Sequence, residues 1–258
     1  MMNLLLTLLP PLIAVPDGPF LMGTPLHALS DLARQYGGTR ESYREETPQH
    51  ELALPAFWIA RTPVSNALYG LYVAATQAPA PLRWRGPTPP AALADHPVVD
   101  INWHEAQAFC HWLADQWTPP PGVGVPRLPS EAEWERAARG LDGRSFPWGE
   151  GFTPSLANTR ESGLATTSPL GAYPAGASPA GGLDLAGNVW EWTASLDQLY
   201  PYRADDGRED PLAPGRRIMR GGCYANPHGY ARCACRFRLL PTVRNEFTGF
   251  RFAAASIT

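Results

Sequence analysis

The chain has 258 residues, 44% of them apolar, and a formal net charge of −3 at pH 7. That length is enough to bury a substantial core, as one large domain or two small ones. The near-neutral balance excludes the electrostatic footprint of a nucleic-acid binder, and four cysteines are too few for a disulfide framework that would imply secretion.

Residues 1–15 look like the apolar region of a signal peptide, but they lack a basic flank and are interrupted by Pro10 and Pro11. The stretch is also too short for a membrane span. An N-terminal strand or packed arm is the preferred reading, with the cytoplasm favoured over export. Phe57-Trp58-Ile59 reads as a short strand. Ser65 then caps a helix on which Leu68, Leu71, Tyr72 and Ala75 share a face. Asn102-Trp103-His104-Glu105 is a capping box, followed by Trp103, Ala106, Cys110, Leu113 and Trp117 on one apolar stripe. Ser130-Glu131-Ala132-Glu133 is a second capping box, with Gly140 placed to end that helix. Arg217–Arg220 reads as another short strand.

Proline-rich connections run through 79–97 and 118–129. The 29 prolines and 24 glycines point to long ordered loops, since proline fixes φ and glycine permits positive φ. Lysine is absent, so all 21 basic residues are arginines, as a GC-rich genome would produce. Proline enrichment with few Asn, Gln and Met also suits a thermophile. No internal repeat or low-complexity linker divides the chain, which reads as one α+β domain with a few helices and much irregular structure.

Three constellations invite a chemical reading and are better explained structurally. His104 and His111 share a helix face, but seven residues put them roughly 10 Å apart along the axis. Zinc proteases need their histidines four apart, so these two read as partly buried helix residues. Asp205–Asp210 lacks the EF-hand pattern and reads as a solvated acidic turn. Cys233-Ala234-Cys235 is not the CxxC spacing of redox or zinc sites.

The last forty residues carry the strongest signal. Arg220-Gly221-Gly222 opens a run that closes on Gly249-Phe250-Arg251. Arg232, Arg236, Arg238 and Arg244 punctuate it, while the side chains between follow neither a helix period nor strand alternation. A fixed frame around miscellaneous side chains suggests a binding surface more than a catalytic one.

Several long motifs occur in order: Pro16–Gly23, Pro97–Trp103, Arg127–Gly140, Phe146-Pro147-Trp148-Gly149, Gly182–Thr193, and the Arg220 to Arg251 frame. Together, over about residues 16–253, they resemble the formylglycine-generating enzyme (sulfatase-modifying factor) family. The resemblance implies a C-type-lectin-like fold over 1–258. The oxidase branch of that family places two reactive cysteines after the Gly-Gly pair, where copper and O₂ convert a substrate cysteine to formylglycine. Soft thiolates suit Cu(I), so that chemistry requires the pair. Here the first position carries Asn226, no residue matches the second, and Cys233 corresponds to a different family position. Cys223 with Cys235 would be an improvised pair. The iron-dependent sulfoxide synthase branch needs an additional helical domain, for which the chain has no room.

The terminal pattern from Ala231-Arg232-Cys233-Ala234 to Gly249-Phe250-Arg251 also resembles the variable region, here about 220–251, of diversity-generating retroelement target proteins. In that family, template adenines are mutated, most often in asparagine AAC codons. Such changes exclude Trp, Gln, Lys, Met and Glu. Cys223, Tyr224, Asn226, His228, Tyr230, Cys235, Phe237, Leu239, Leu240, Thr242, Val243, Asn245, Phe247 and Thr248 all lie in the reachable set, whereas Glu246 does not. The resemblance implies that these side chains form a solvent-facing, ligand-binding surface, with Tyr224, Tyr230 and Phe237 as aromatic anchors. The alternative is that they are core of the final hairpin.

These readings imply a monomeric binding protein without catalytic residues or a required cofactor, whose partner is a protein surface rather than a glycan, nucleic acid or membrane. The alternatives are a copper-dependent formylglycine-generating oxidase, or an inert domain serving larger assemblies. Some family members hold structural calcium, and Asn158, Asn188 and Glu191 match the positions associated with it. Side chains bonding their own loops are the alternative there.

Overall fold

In the computed structural model, which describes residues 2–257, helices begin where the sequence caps them. α1 (Met2–Leu8) is followed by β1 (Leu12–Val15), β2 (Gly18–Met22), α2 (Leu29–Tyr36), β3 (His50–Leu54) and β4 (Phe57–Ala60). Then come α3 (Asn66–Thr76), α4 (Trp103–Gln116) and α5 (Glu131–Arg139). The C-terminal part contributes β5 (Trp190–Leu196), β6 (Arg217–Arg220), β7 (Phe237–Leu239), β8 (Thr248–Gly249) and β9 (Ala253–Ala255).

Ser65 Oγ accepts the Leu68 amide at 3.1 Å, and both predicted capping boxes form, at Asn102/Glu105 and Ser130/Glu133. These side chains satisfy amides that the first helical turn leaves without backbone partners. Gly140 closes α5 at φ +74°, a conformation costly for residues with a Cβ.

Two elements depart from the expectations. The N-terminal arm is a helix leading into a strand, because Pro10-Pro11 cannot continue the helix and Leu5 docks into the main core. α2, together with a 3-10 stretch at Arg40–Glu46, fills the connection between β2 and β3, where no helix was predicted.

β4 lies between β1 and β9, antiparallel to both, with Val15 opposite Phe57 and Phe57 opposite Ala255. β2 and β3 form a separate antiparallel pair. The third sheet runs β7-β6-β5-β8, with β5 and β8 parallel. The main core joins α3, α4 and the chain's end, where the Tyr69 and Phe109 rings stack at 5.7 Å and Phe250 meets Phe109 edge-on at 5.3 Å. The segment between β8 and β9 thus supplies core to helices far earlier in the sequence, as in the C-type-lectin-like fold of the formylglycine-generating-enzyme type.

His104 and His111 are exposed on α4 rather than partly buried, because the stripe of Trp103, Ala106, Phe109, Cys110 and Leu113 takes the inward face. The acidic run is not solvated throughout. Arg208 is buried over the Tyr202 ring and pairs with Asp206 at 2.7 Å, while Glu209 accepts hydrogen bonds from Ser195 and Tyr202. No helix among the described residues is long and apolar enough to cross a membrane.

Candidate functional site

The terminal segment is positioned by its arginines. β6 ends in Gly221-Gly222, both at positive φ, and a Cβ on Gly222 would fall 2.9 Å from the Tyr230 carbonyl oxygen. The loop that follows folds back against the strand it has just left. Arg220 pairs with Glu135 of α5 and donates to the Ala234 and Cys235 carbonyls, both at 2.9 Å. Arg236 donates to Glu131 at 2.6 Å and to the carbonyls of Glu45 and Gln198. Arg232 grips Glu46 with both terminal nitrogens, at 2.8 and 2.6 Å. Arg244 pairs with Glu105 on α4, and Arg238 with Glu45 and Asp197. Arg251 forks onto Glu191 at 2.6 and 2.7 Å.

A guanidinium offers several donors in a fixed plane, so Arg220, Arg236 and Arg251 each order two or more backbone carbonyls besides a carboxylate. Burial acts to raise the Glu131 carboxyl, but Arg236 and Arg220 outweigh it and hold the group below its ordinary value. The segment is therefore ordered by bonds from its frame to the scaffold, and the intervening side chains are left for other work.

Those side chains enclose a recess of about 280 Å³. Trp190, Phe237, Leu239 and Phe247 form its apolar walls, with Phe237 stacked on Trp190 at 5.2 Å. Asn226, Cys223, Asn245 and Thr248 line it as the polar part. Asn226 Oδ1 accepts from the Trp190 indole at 2.8 Å, from the Cys223 amide at 3.2 Å and from the Cys223 thiol at 3.0 Å. Burial pushes the Cys223 thiol up to about 11, so it is protonated at neutral pH. A second recess of about 480 Å³ lies beside it, lined by Tyr36, Tyr43, Glu45, Tyr230, Cys235 and Arg238, and Phe237 lines both. Burial, helped by Glu46, pushes Cys235 up to about 12.

By the resemblance, Asn226 takes the position of the oxidase's first reactive cysteine, and an amide cannot ligate Cu(I) as a thiolate does. Cys223 and Cys235 open onto different recesses, and both are held as thiols. The residues present do not fit a two-thiolate copper site.

The structure divides the fourteen predicted surface residues. Tyr230, Phe237, Leu240 and Thr242 are exposed, and Asn226, His228, Leu239, Val243, Asn245 and Phe247 are half-buried. Cys223, Tyr224, Cys235 and Thr248 are buried, contrary to the expectation that all these side chains face solvent. Cys223, Cys235 and Thr248 each adjoin a frame residue, Gly222, Arg236 and Gly249 respectively, and are drawn inward with it. Tyr224 packs against Phe247 with ring centres 5.5 Å apart and is unavailable as an anchor. His228 is tied by its amide and Nδ1 to Glu161 and stacked on Phe152 at 4.4 Å. Burial acts to raise the Glu161 carboxyl, but hydrogen bonds from Thr159 and His228 outweigh it and lower the group to about 2.

The positions associated with calcium serve the protein itself. Glu191 is taken by Arg251 and by the Trp134 indole at 2.8 Å. Asn158 bonds Thr166 and Ser162, and Asn188 bonds Ser168 and Asp184. With the carboxylate neutralised by a guanidinium, this trio does not form a cage for a hard cation.

Sequence reasoning missed Trp190 as a wall of the first recess, although the Trp-Glu-Trp motif contains it. Tyr36, Tyr43 and Glu45 had no signal at all, because they reach the second recess from the β2–β3 connection.

The family described as sulfatase-modifying factor enzyme 1-like domain matches residues 6–256. The formylglycine-generating enzyme of Streptomyces coelicolor is 33% identical over 273 residues, covering 81% of each chain. The hercynine oxygenase of Mycolicibacterium smegmatis is 30% identical over 285 residues, 93% of this chain and 60% of that one. The chain spans only 48% of the bovine and mouse formylglycine-generating enzymes it also matches. Among solved structures, PvdO from Pseudomonas aeruginosa superposes with a TM-score of 0.72 at 25% identity, over 95% of this chain and 94% of that one. Treponema denticola variable protein 1 gives the same TM-score and coverage at 21% identity, a likeness of fold alone. Relatives named as enzymes at 30–33% identity overturn the expectation that the chain is not an enzyme. The unmatched cysteine pair argues against one chemistry and does not remove the chain from a family of enzymes.

Proposed function

The chain belongs to the sulfatase-modifying factor enzyme 1-like family, and within it we propose that the terminal segment is a recognition surface that takes an apolar or aromatic side chain of a polypeptide ligand into the Trp190–Phe237 recess. One observation carries this reading: Phe237 is 39% exposed, stacked on Trp190, and forms a wall of an open apolar recess. Aromatic side chains, Phe among them, are enriched at protein interfaces relative to the rest of the surface. Tyr230 and Leu240 are further exposed apolar side chains of the same segment. A glycan is the poorer ligand, since the walls offer stacking but few polar groups. Panning a displayed peptide library on the protein should enrich peptides with a central aromatic or large aliphatic residue. Phe237→Ser should abolish that enrichment with little change in Tm. Phe247→Ser should lower Tm as well, because Phe247 packs against the main core. Enrichment indifferent to Phe237→Ser would sink the proposal.

Diversification of the surface by a retroelement is the finer part of this reading. It is supported by the adenine-reachable residues between framed arginines. It requires a near-copy of the terminal coding segment nearby in the DNA, differing only at adenines, beside a reverse transcriptase gene. The oxidase is the second reading, favoured by the 33% identity to the Streptomyces enzyme and by a thiol in the recess. Aldehyde formation in a cysteine-containing sulfatase peptide, dependent on added copper and O₂, would establish it in place of the first.

A further inference from the structure

We propose that a second ligand site, independent of the terminal segment, lies between β2 and α5, where Arg136 binds the carboxylate of a small organic acid with an apolar body. The recess has a volume of about 450 Å³, and Phe20, Leu21, Pro19 and Leu141 give it apolar walls. Arg136 lines it while only 5% exposed. Its guanidinium makes a single hydrogen bond, a long one of 3.5 Å from Nη2 to the Pro16 carbonyl, and its Nε is buried without a partner. No carboxylate among the described residues lies within ion-pair distance of it.

The other buried arginines contrast with it. Arg139, Arg220, Arg232, Arg236 and Arg251 each have a carboxylate. Arg217 has none but donates to four carbonyls. A buried charge without a partner is costly, and an incoming anion would supply what the fold does not. The guanidinium fork matches a carboxylate in two parallel hydrogen bonds. Phe20 lies beneath it, 5.9 Å from ring centre to the guanidinium carbon, and steadies its plane. Burial pulls Arg136 below its ordinary value.

The rim selects among anions. Asp17 and Glu51 are exposed and line the same recess, so a doubly charged phosphate meets two like charges that a monoanion with an apolar tail meets more weakly. The apolar walls then take the tail, adding burial to the ion pair.

Isothermal titration of the full chain with hexanoate, hexanol and inorganic phosphate tests the site. Hexanoate should bind saturably at one site, and hexanol and phosphate should not. Arg136→Met should abolish hexanoate binding and raise Tm by a few degrees, because it removes an uncompensated buried charge. The proposal is overturned if the wild-type protein binds no hexanoate, if hexanol binds as well as hexanoate, if phosphate binds better, or if Arg136→Met keeps its hexanoate affinity. Should Arg136→Met fail to fold, the comparison of hexanoate with hexanol on the wild-type protein still decides. None of these outcomes depends on Phe237, so this site and the terminal recess stand or fall separately.

Discussion

At residue scale, the terminal segment contains two kinds of side chain that its sequence interleaves. Arg232, Arg236 and Arg251 are buried, and each holds a carboxylate together with backbone carbonyls. Phe237 and Leu240 make no such bonds and stand exposed. His228 is intermediate, since its link to Glu161 fixes a side chain otherwise free to recognise something. That link has a signature in acid. Glu161 is held at about 2, against an ordinary value of 4.5. A carboxyl lowered in the folded state contributes stability that is present above pH 4.5 and lost as pH falls towards 2. Glu161→Gln should therefore be less stable than the wild-type protein at neutral pH. The gap should close between pH 4.5 and 2, read by urea denaturation across that range. A gap constant with pH would refute the link. The aromatic character of the segment was legible at this scale. The inward turn of Tyr224 and Thr248 was not, because it depends on neighbours brought from Phe247 and Ile101.

At element scale, helix starts were the most legible feature, because a cap is a local bargain between one side chain and the amides three residues on. Ser65, Asn102 and Ser130 all cap as their sequences indicate. α5 nonetheless had an unexpected environment. Every one of its residues is buried, charged ones included, since Glu131 and Glu135 receive Arg236 and Arg220 from the terminal segment. An amphipathic pattern would have put those charges in water. Ser130→Ala should cost about 1 kcal/mol in chemical denaturation, the usual worth of an N-cap. The loss should appear without a change in m, since the buried surface is unaltered. A neutral result would mean that Glu133, which also accepts the Ser130 amide and pairs with Arg127, holds the helix start alone. α2 was passed over although Leu29, Leu32, Ala33 and Tyr36 recur at helical spacing, and only Leu29 of that stripe is fully buried.

At the scale of the whole molecule, the end of the chain closes its beginning. β9 pairs with β4, β8 runs parallel to β5, and Phe250 and Phe252 complete the core of α3 and α4. The core can therefore assemble only when the terminal segment is in place, which couples its frame to global stability. The cysteines report on that coupling. Cys110, Cys223, Cys233 and Cys235 are all buried and reduced, and burial raises each thiol above its ordinary value. Without denaturant, their reaction with a thiol reagent at pH 8 should be limited by opening of the native state. It should become rapid and complete through the unfolding transition. Prompt reaction of Cys223 at its recess in native conditions would show that the terminal segment opens on its own.

The sequence by itself determined what depends on short-range chemistry and on ordered motifs: the capped helices, the Gly-Gly turn, the two-set character of the last forty residues and the C-type-lectin-like family fold. Only the tertiary structure decided which of the interleaved side chains face outward, that Glu191 belongs to Arg251, that Cys223 and Cys235 open onto separate recesses, and that no carboxylate among the described residues pairs with Arg136. The reason is physical. A cap or a turn is fixed by neighbours along the chain, whereas burial and ion pairing are fixed by groups more than a hundred residues away in sequence, as Arg236 with Glu131 and Arg232 with Glu46 show.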